Sequence, residues 1–346
     1  MHMADALLSP AVGGTMWAAT AATTVYCSAK VRHSLDEHKV PLMGVLAAFI
    51  FAAQMINFTI PGTGSSGHLG GGLILAILLG PYAAFLAIAS VLTVQCLFFA
   101  DGGLLALGCN IFHMGTIPCF LAYPLIYKRI VGDQPSRARL LTGSLLGAVI
   151  GLQLGAFGVV METTLSGISE LPFSSFVMMM QPIHLAIGIV EGLVTAGIIS
   201  FIWQARPEIM EKAAADQPIG ALPIGKILIG LATATVFIGG ILSWYASQHP
   251  DGLEWATARI TGNKELKSSS EIHQSLQGVQ QQTAVLPDYG FKEKKEGDSG
   301  RLGTSVAGLV GGFTVLLLAL AIGLLLKRRG SVGHDHSHDH SQPHHH

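Results

Sequence analysis

The residues best placed to do chemistry are the first three, Met1-His2-Met3, and a distant Gly-rich stretch, Ser65-Ser66-Gly67-His68-Leu69-Gly70-Gly71-Gly72. The Met1 amine, the His2 amide nitrogen and the His2 imidazole can close two fused chelate rings on one metal ion. The amide must lose its proton to bind, so this nitrogen set is planar and strong-field. It suits Ni(II) or Cu(II), which accept square-planar geometry. Three nitrogens leave a fourth corner open, and His68 is the candidate for it. Histidine at position 2 is bulky enough to protect the initiator Met from removal.

Further polar side chains sit inside apolar runs. Asn110 and His113 lie in one, His184 and Glu191 in another, seven residues apart and so on one helical face. Ionisable groups within a membrane are candidate functional residues, and they also serve a bundle as interhelical hydrogen bonds. Asn110, His113, His184 and Glu191 are therefore candidates for a supporting shell around the metal, not for ligands.

The elements that must position these residues are hydrophobic helices. Half of the 346 residues are hydrophobic and 12% are charged, against roughly 25% charged in soluble domains. Apolar runs cover about 10–29, 41–57, 69–99, 103–127, 138–162, 181–204, 225–245 and 305–326. Ser9-Pro10 is an N-cap followed by a first-turn proline. The run 69–99 is too long for one span of ~20 residues. Gly80-Pro81 divides it into a short helix, 69–79, and a fuller one, 81–99; the short one is suited to packing inside the protein as a re-entrant segment. Lys and Arg cluster after about residues 29, 127, 204 and 326, which makes those loops cytoplasmic. The long 246–303 loop holds seven Lys and Arg, but its eight carboxylates balance them.

The expected fold is an all-α polytopic membrane bundle. A seven-span core carries a two-span C-terminal hairpin, with the N-terminus outside and the C-terminus inside. Its parts are a metal-binding domain at 1–206, a cytoplasmic linker at 207–224, an accessory domain at 225–329 with an extracytoplasmic loop at 246–303, and a His-rich tail at 330–346. On this topology Met1, His2 and the loop carrying His68 share the outer side. The tail repeats His and Asp from His334 to His340 and suits loose metal binding inside the cell; its last three histidines also read as the start of an affinity tag.

Several function classes are disfavoured. No GxxxxGK[ST] motif is present, so ATP hydrolysis by a P-loop is not expected on this chain, and no HExxH occurs. No basic aromatic patch points to nucleic acid. The four cysteines form no CxxC pair and read as small packing residues. A membrane metal sensor would signal through the His-rich tail but lacks an output domain. A membrane hydrolase built on His113, His184 and Glu191 lacks a ligand pair at i, i+4.

Three stretches carry a resemblance. They are Met1 to Pro10, the Asn57…Pro61-Gly62-Thr63…Gly67-His68-Leu69-Gly70 loop, and His184…Gly188-Ile189-Val190-Glu191-Gly192-Leu193-Val194-Thr195. Together they resemble the substrate-binding membrane subunit of energy-coupling factor (ECF) importers for nickel or cobalt, over roughly 1–206. The remainder resembles the two-span accessory subunit of the same systems, through Pro250-Asp251-Gly252-Leu253-Glu254-Trp255, Leu286-Pro287-Asp288-Tyr289-Gly290-Phe291 and Gly303-Thr304-Ser305-Val306. The resemblance implies metal held by the Met1 amine, the His2 amide and imidazole, and His68. It also implies a coupling membrane subunit and ATPase subunits as partners, and residence in a prokaryotic cell (inner) membrane. The transported substrate is then Ni(II), or Co(II) feeding cobalamin synthesis. Many relatives read His-Ile-Pro-Asp-Gly where this chain has His2-Met3-Ala4-Asp5-Ala6, a departure that leaves the ligating atoms in place.

Overall fold

The structure is a computed structural model describing residues 2–32, 34–263, 270–293 and 300–327. Met1 and the His-rich tail lie outside the described residues. The chain is a multi-pass helical bundle. Its first helices are α1 (Pro10–Val31), α2 (Lys39–Gln54), α3 (Gly72–Leu79) and α4 (Pro81–Phe99). Then α5 (Leu107–Ile111) runs through two π-helical stretches, Phe112–Thr116 and Pro118–Tyr127, into α6 (Lys128–Val131). Pro118 and Pro124 lack the N–H that an α ladder needs there, and the wider π pairing accommodates them. After them come α7 (Arg137–Ser166), α8 (Phe173–Ala205), α9 (Pro207–Ala214), α10 (Gly225–Gly240), α11 (Gly252–Thr261), α12 (Glu271–Thr283) and α13 (Arg301–Leu326).

Five segments among the described residues are long and apolar enough to cross a membrane: Pro81–Phe99, Leu107–Val131, Arg137–Ser166, Phe173–Ala205 and Arg301–Leu326. α2 and α10 are shorter apolar helices. The expected break at Gly80-Pro81 is present, with Gly80 at φ 79° between α3 and α4. All eight residues of α3 are buried. At about 1.5 Å per residue it is shorter than an ordinary membrane-spanning helix, and all of it sits inside the bundle. The Ser9 cap also forms, its hydroxyl accepting from the Val12 N–H at 3.4 Å. Two features depart from the sequence reading. α8 starts at Phe173, eight residues early, because Pro172 marks its start and Pro182 is carried within it. The Gly-rich loop contains a short hairpin, β1 (Phe58–Ile60) and β2 (Ser65–Gly67), paired antiparallel.

Close helix packing depends on several glycines. α7 lies along α8 so closely that a Cβ on Gly188 or Gly192 would come within 2.9 Å of Val149 Cα or 2.6 Å of Leu145 Cα. Gly143 and Gly147 on α7 face Tyr127, Val131 and Leu73 inside the bundle. Ala18 and Ala22 on α1 remain exposed. The two C-terminal helices α10 and α13 both pack on α2, which joins the hairpin to the core.

Candidate metal site

The N-terminal tail is folded down among helix ends. Met3, Leu7 and Leu8 are buried, which removes roughly 1.5–3 kcal/mol worth of apolar surface per large side chain from water. Polar groups fix the register. The Met3 N–H donates to Asn110 Oδ1 at 2.8 Å and the Asn110 amide returns a bond to the Met3 carbonyl at 3.3 Å. Asp5 accepts from the Ala106 N–H at 2.9 Å. A Cβ on Gly103 would lie 1.8 Å from the Asp5 carboxylate, so the chain passes there only without a side chain. Asn110, a supporting residue in the sequence reading, thus anchors the residue next to His2.

This tail brings His2 against His68. Their rings stack with centroids 5.0 Å apart and 17° between planes. Burial pushes both imidazoles down to about 3, so each is neutral at physiological pH, with one ring N–H and one lone pair. His68 Nδ1 lies 3.0 Å from the Leu69 carbonyl. A carbonyl only accepts, so Nδ1 carries the proton and Nε2 the lone pair. His2 Nε2 is 3.1 Å from Gln95 Oε1, and His2 Nδ1 is 3.1 Å from Asp101 Oδ1. Burial raises the Asp101 carboxyl, whose second oxygen accepts from the Tyr289 hydroxyl at 2.5 Å.

The loop carrying His68 is held from the opposite side. Glu191 accepts from the Gly70 and Gly71 N–H groups at 2.8 and 3.0 Å. Gly71 has φ 77°, and a Cβ on it would meet Ile50 at 2.6 Å. Glycine is therefore required where the loop turns under this clamp. Beneath His68 is a cavity of about 50 Å³ also lined by His113, His184 and Glu191. His184 donates from Nδ1 to the Met180 carbonyl at 2.7 Å, and His113 pairs through Nε2 with Glu162 at 2.9 Å. The four supporting candidates accordingly divide. Asn110 and Glu191 touch the segments that carry His2 and His68, whereas His113 and His184 line the space below.

The accessory loop covers this end of the molecule. Ser66 in β2 pairs with Asp251 in a parallel bridge, and its N–H donates to the Pro250 carbonyl at 2.8 Å. Trp255 Nε1 donates to the Thr63 carbonyl at 3.0 Å. His273 donates to the Leu8 carbonyl at 2.8 Å, and Gln280 to the Gly102 carbonyl at 2.6 Å. Tyr289 stacks on Phe99 at 4.8 Å while it reaches Asp101. Gln54, Gln95, Asp101, Glu162 and Tyr289 are contributors that the sequence reading did not single out. Gln54 and Gln95 carried the same signal as Asn110, an amide inside an apolar run.

A multi-pass membrane protein that buries two neutral, stacked imidazoles under a polar-capped end defines a class: membrane proteins that handle a small cation. Comparison with known proteins narrows it. The family model described as cobalt uptake substrate-specific transmembrane region matches residues 2–209, and the PDGLE domain matches 225–328. The chain belongs to that cobalt-uptake family and carries the PDGLE domain fused behind it. An Archaeoglobus fulgidus protein, provisionally named a fused nickel transport protein NikMN, is 33% identical over 331 residues, 94% of this chain and 98% of that one. A Geobacter sulfurreducens protein named cobalt transport protein CbiM is 27% identical over 258 residues, 71% of this chain and 70% of that one. A crystal structure described as a truncated transition metal transporter superposes with TM-score 0.53 at 30% identity, covering 59% of this chain and 99% of its own.

Proposed function

We propose that this chain captures Ni(II) with high affinity and imports it as the substrate-specific component of an ATP-driven ECF-type transporter. The observation that carries the reading is the meeting of His2 and His68, stacked at 5.0 Å, neutral and buried at one end of the bundle. Among the described residues no three His, Cys, Asp or Glu side chains converge as a metal site. The remaining donors of the proposed set are main-chain nitrogens: the Met1 amine and the deprotonated His2 amide. Ni(II) accepts such a planar set. Co(II) is the second reading, favoured by the family's description and by the Geobacter relative.

The chain carries no P-loop motif, so ATP hydrolysis belongs to separate ATPase subunits, coupled through a second membrane subunit. The proposed topology has nine crossings, seven in 1–206 and two in 225–329, with the metal site outside and the linker 207–224 inside. The relatives named above come from an archaeon and a bacterium, which fits a prokaryotic cell membrane.

The test alters the chain's start alone. One residue added before Met1 turns its amine into an amide and moves the new amine away from His2. The fused ring pair is lost although every side chain remains. Purified native-start protein is expected to hold near-stoichiometric nickel, and the extended form little, with both monodisperse in detergent. Equal nickel in both would overturn the terminal-amine site.

A further inference from the structure

We propose that Gln95, oriented through Gln54, is a positioning residue that fixes His2 in the tautomer able to chelate the metal. This rests on the site reading above and adds to it a part for two glutamines.

Chelation by the amide nitrogen and imidazole of one histidine is geometrically selective. A six-membered ring closes through Nδ1, whereas Nε2 lies on the far side of the imidazole and cannot reach the same ion. His2 must therefore keep its proton on Nε2. The structure supplies a chain of amides that imposes this. It begins at the Gly70 carbonyl, which can only accept, and which takes a bond from Gln54 Nε2 at 2.8 Å. That fixes the Gln54 amide, since the opposite orientation would set two oxygens against each other. Gln54 Oε1 then faces outward and accepts from Gln95 Nε2 at 2.9 Å. Gln95 Oε1 is left facing His2 Nε2 at 3.1 Å, so Nε2 must be the donor and Nδ1 keeps its lone pair. Both glutamines are buried, at 5% and 0% exposure, so water does not compete for these bonds.

The chain of bonds starts from a rigid point. Gly70 is itself pinned by the Glu191 carboxylate through its N–H. The loop that carries His68 and the amides that orient His2 therefore share one anchor on α8. Asp101 acts in the opposite sense. Its Oδ1 is 3.1 Å from His2 Nδ1 and would accept a proton placed there. Gln95 holds the proton on the other nitrogen against that competitor. Partners of this kind, bonded to the non-ligating nitrogen of a histidine, typically alter metal affinity ~10–100-fold when lost.

The test is nickel titration of full-length protein, with the absorption of the planar nickel centre recorded at saturation. Gln95→Leu is expected to bind ~10–100-fold more weakly but to reach the same absorption spectrum at saturation, because every ligand is retained. Gln95→Glu keeps an acceptor for Nε2–H but sets its second oxygen against Gln54 Oε1, and is expected to bind more tightly than Gln95→Leu while falling short of the parent. Gln54→Leu frees the Gln95 amide to turn over and is expected to fall between them; it also serves if Gln95→Leu does not fold. Adding Asp101→Ala to Gln95→Leu removes the competitor and is expected to restore part of the loss. Parent-like affinity in both leucine variants would overturn the proposal. So would Gln95→Glu as weak as Gln95→Leu, which would make the residue a packing element only. Failure of the site reading itself looks different: the unmodified protein would then bind no nickel with the planar spectrum.

Discussion

At the scale of single residues, the proposed site divides side chains into those that hold the ion and those that hold the ligands. His2→Ala and His68→Ala should each abolish tight nickel binding, while His184→Ala should leave most of it, because His184 lines the cavity below and spends its Nδ1 on the Met180 carbonyl. Calorimetric titration at low metal concentration checks this, and full binding after His68→Ala would remove it from the ligand set. The pH dependence follows from burial. Both imidazoles sit at about 3 in the folded protein, far below their ordinary 6.5, so protons do not compete for them between pH 5 and 7. The amine, with an ordinary value of about 7.7–8.0, and the amide must each release a proton on binding. Affinity should thus fall as pH drops, by about two decades per pH unit below the amine's value, with no steepening through pH 6.5. Competition titrations at pH 5, 6 and 7 measure the slope. Steepening below 6.5 would mean that the imidazoles titrate as exposed ones do, and a slope near one would remove the amine or the amide.

At the scale of elements, the helices were legible in the sequence because their signals are local. Ser9-Pro10 caps α1, Gly80-Pro81 separates α3 from α4, and the apolar runs match the long helices to within a few residues, α8 excepted. What was not legible depends on contacts between distant segments. The β1–β2 hairpin has only three residues per strand and draws part of its hydrogen bonding from Pro250 and Asp251, which no local periodicity reveals. Gln54 and Gln95 lie on different helices, and only packing brings their amides together. The 246–303 loop is a third case, seated on the loop of His68 and on Asp101 through contacts that nothing local in its sequence announces. Trp255→Ala removes the bond to the Thr63 carbonyl and loosens the cover. A buried hydrogen bond and its packing are worth roughly 1–2 kcal/mol, so nickel should dissociate about tenfold faster, as read by chelator chase. An unchanged rate would assign the loop a role away from the site.

At the scale of the whole molecule, three segments far apart in sequence reach one end of the bundle: the N-terminal tail, the Gly-rich loop and the accessory loop. Basic residues gather at the ends of the other connections, around Lys128 and Arg129 and along 206–226. Lys128 donates there to the Ala214 carbonyl at 3.0 Å, tying the linker helix α9 to the start of α6. The asymmetry predicts that the metal site faces outward and the linker inward. Single cysteines report this directly, because all four native cysteines are buried and give little background. Asn263, in the accessory loop, and Asp133, between α6 and α7, are both exposed, so neither substitution disturbs the core. A membrane-impermeant maleimide added to intact cells should label Asn263→Cys at once and Asp133→Cys only after the membrane is opened. The reverse pattern would put the two imidazoles on the cytoplasmic side, and the chain would then meet its metal from within, which is the geometry of a sensor or exporter. Labelling of both in intact cells would mean that one of the three proposed crossings between them, α7, α8 and α10, is missing, with α10 the first to re-examine, since its 16 residues fall short of an ordinary span of ~20.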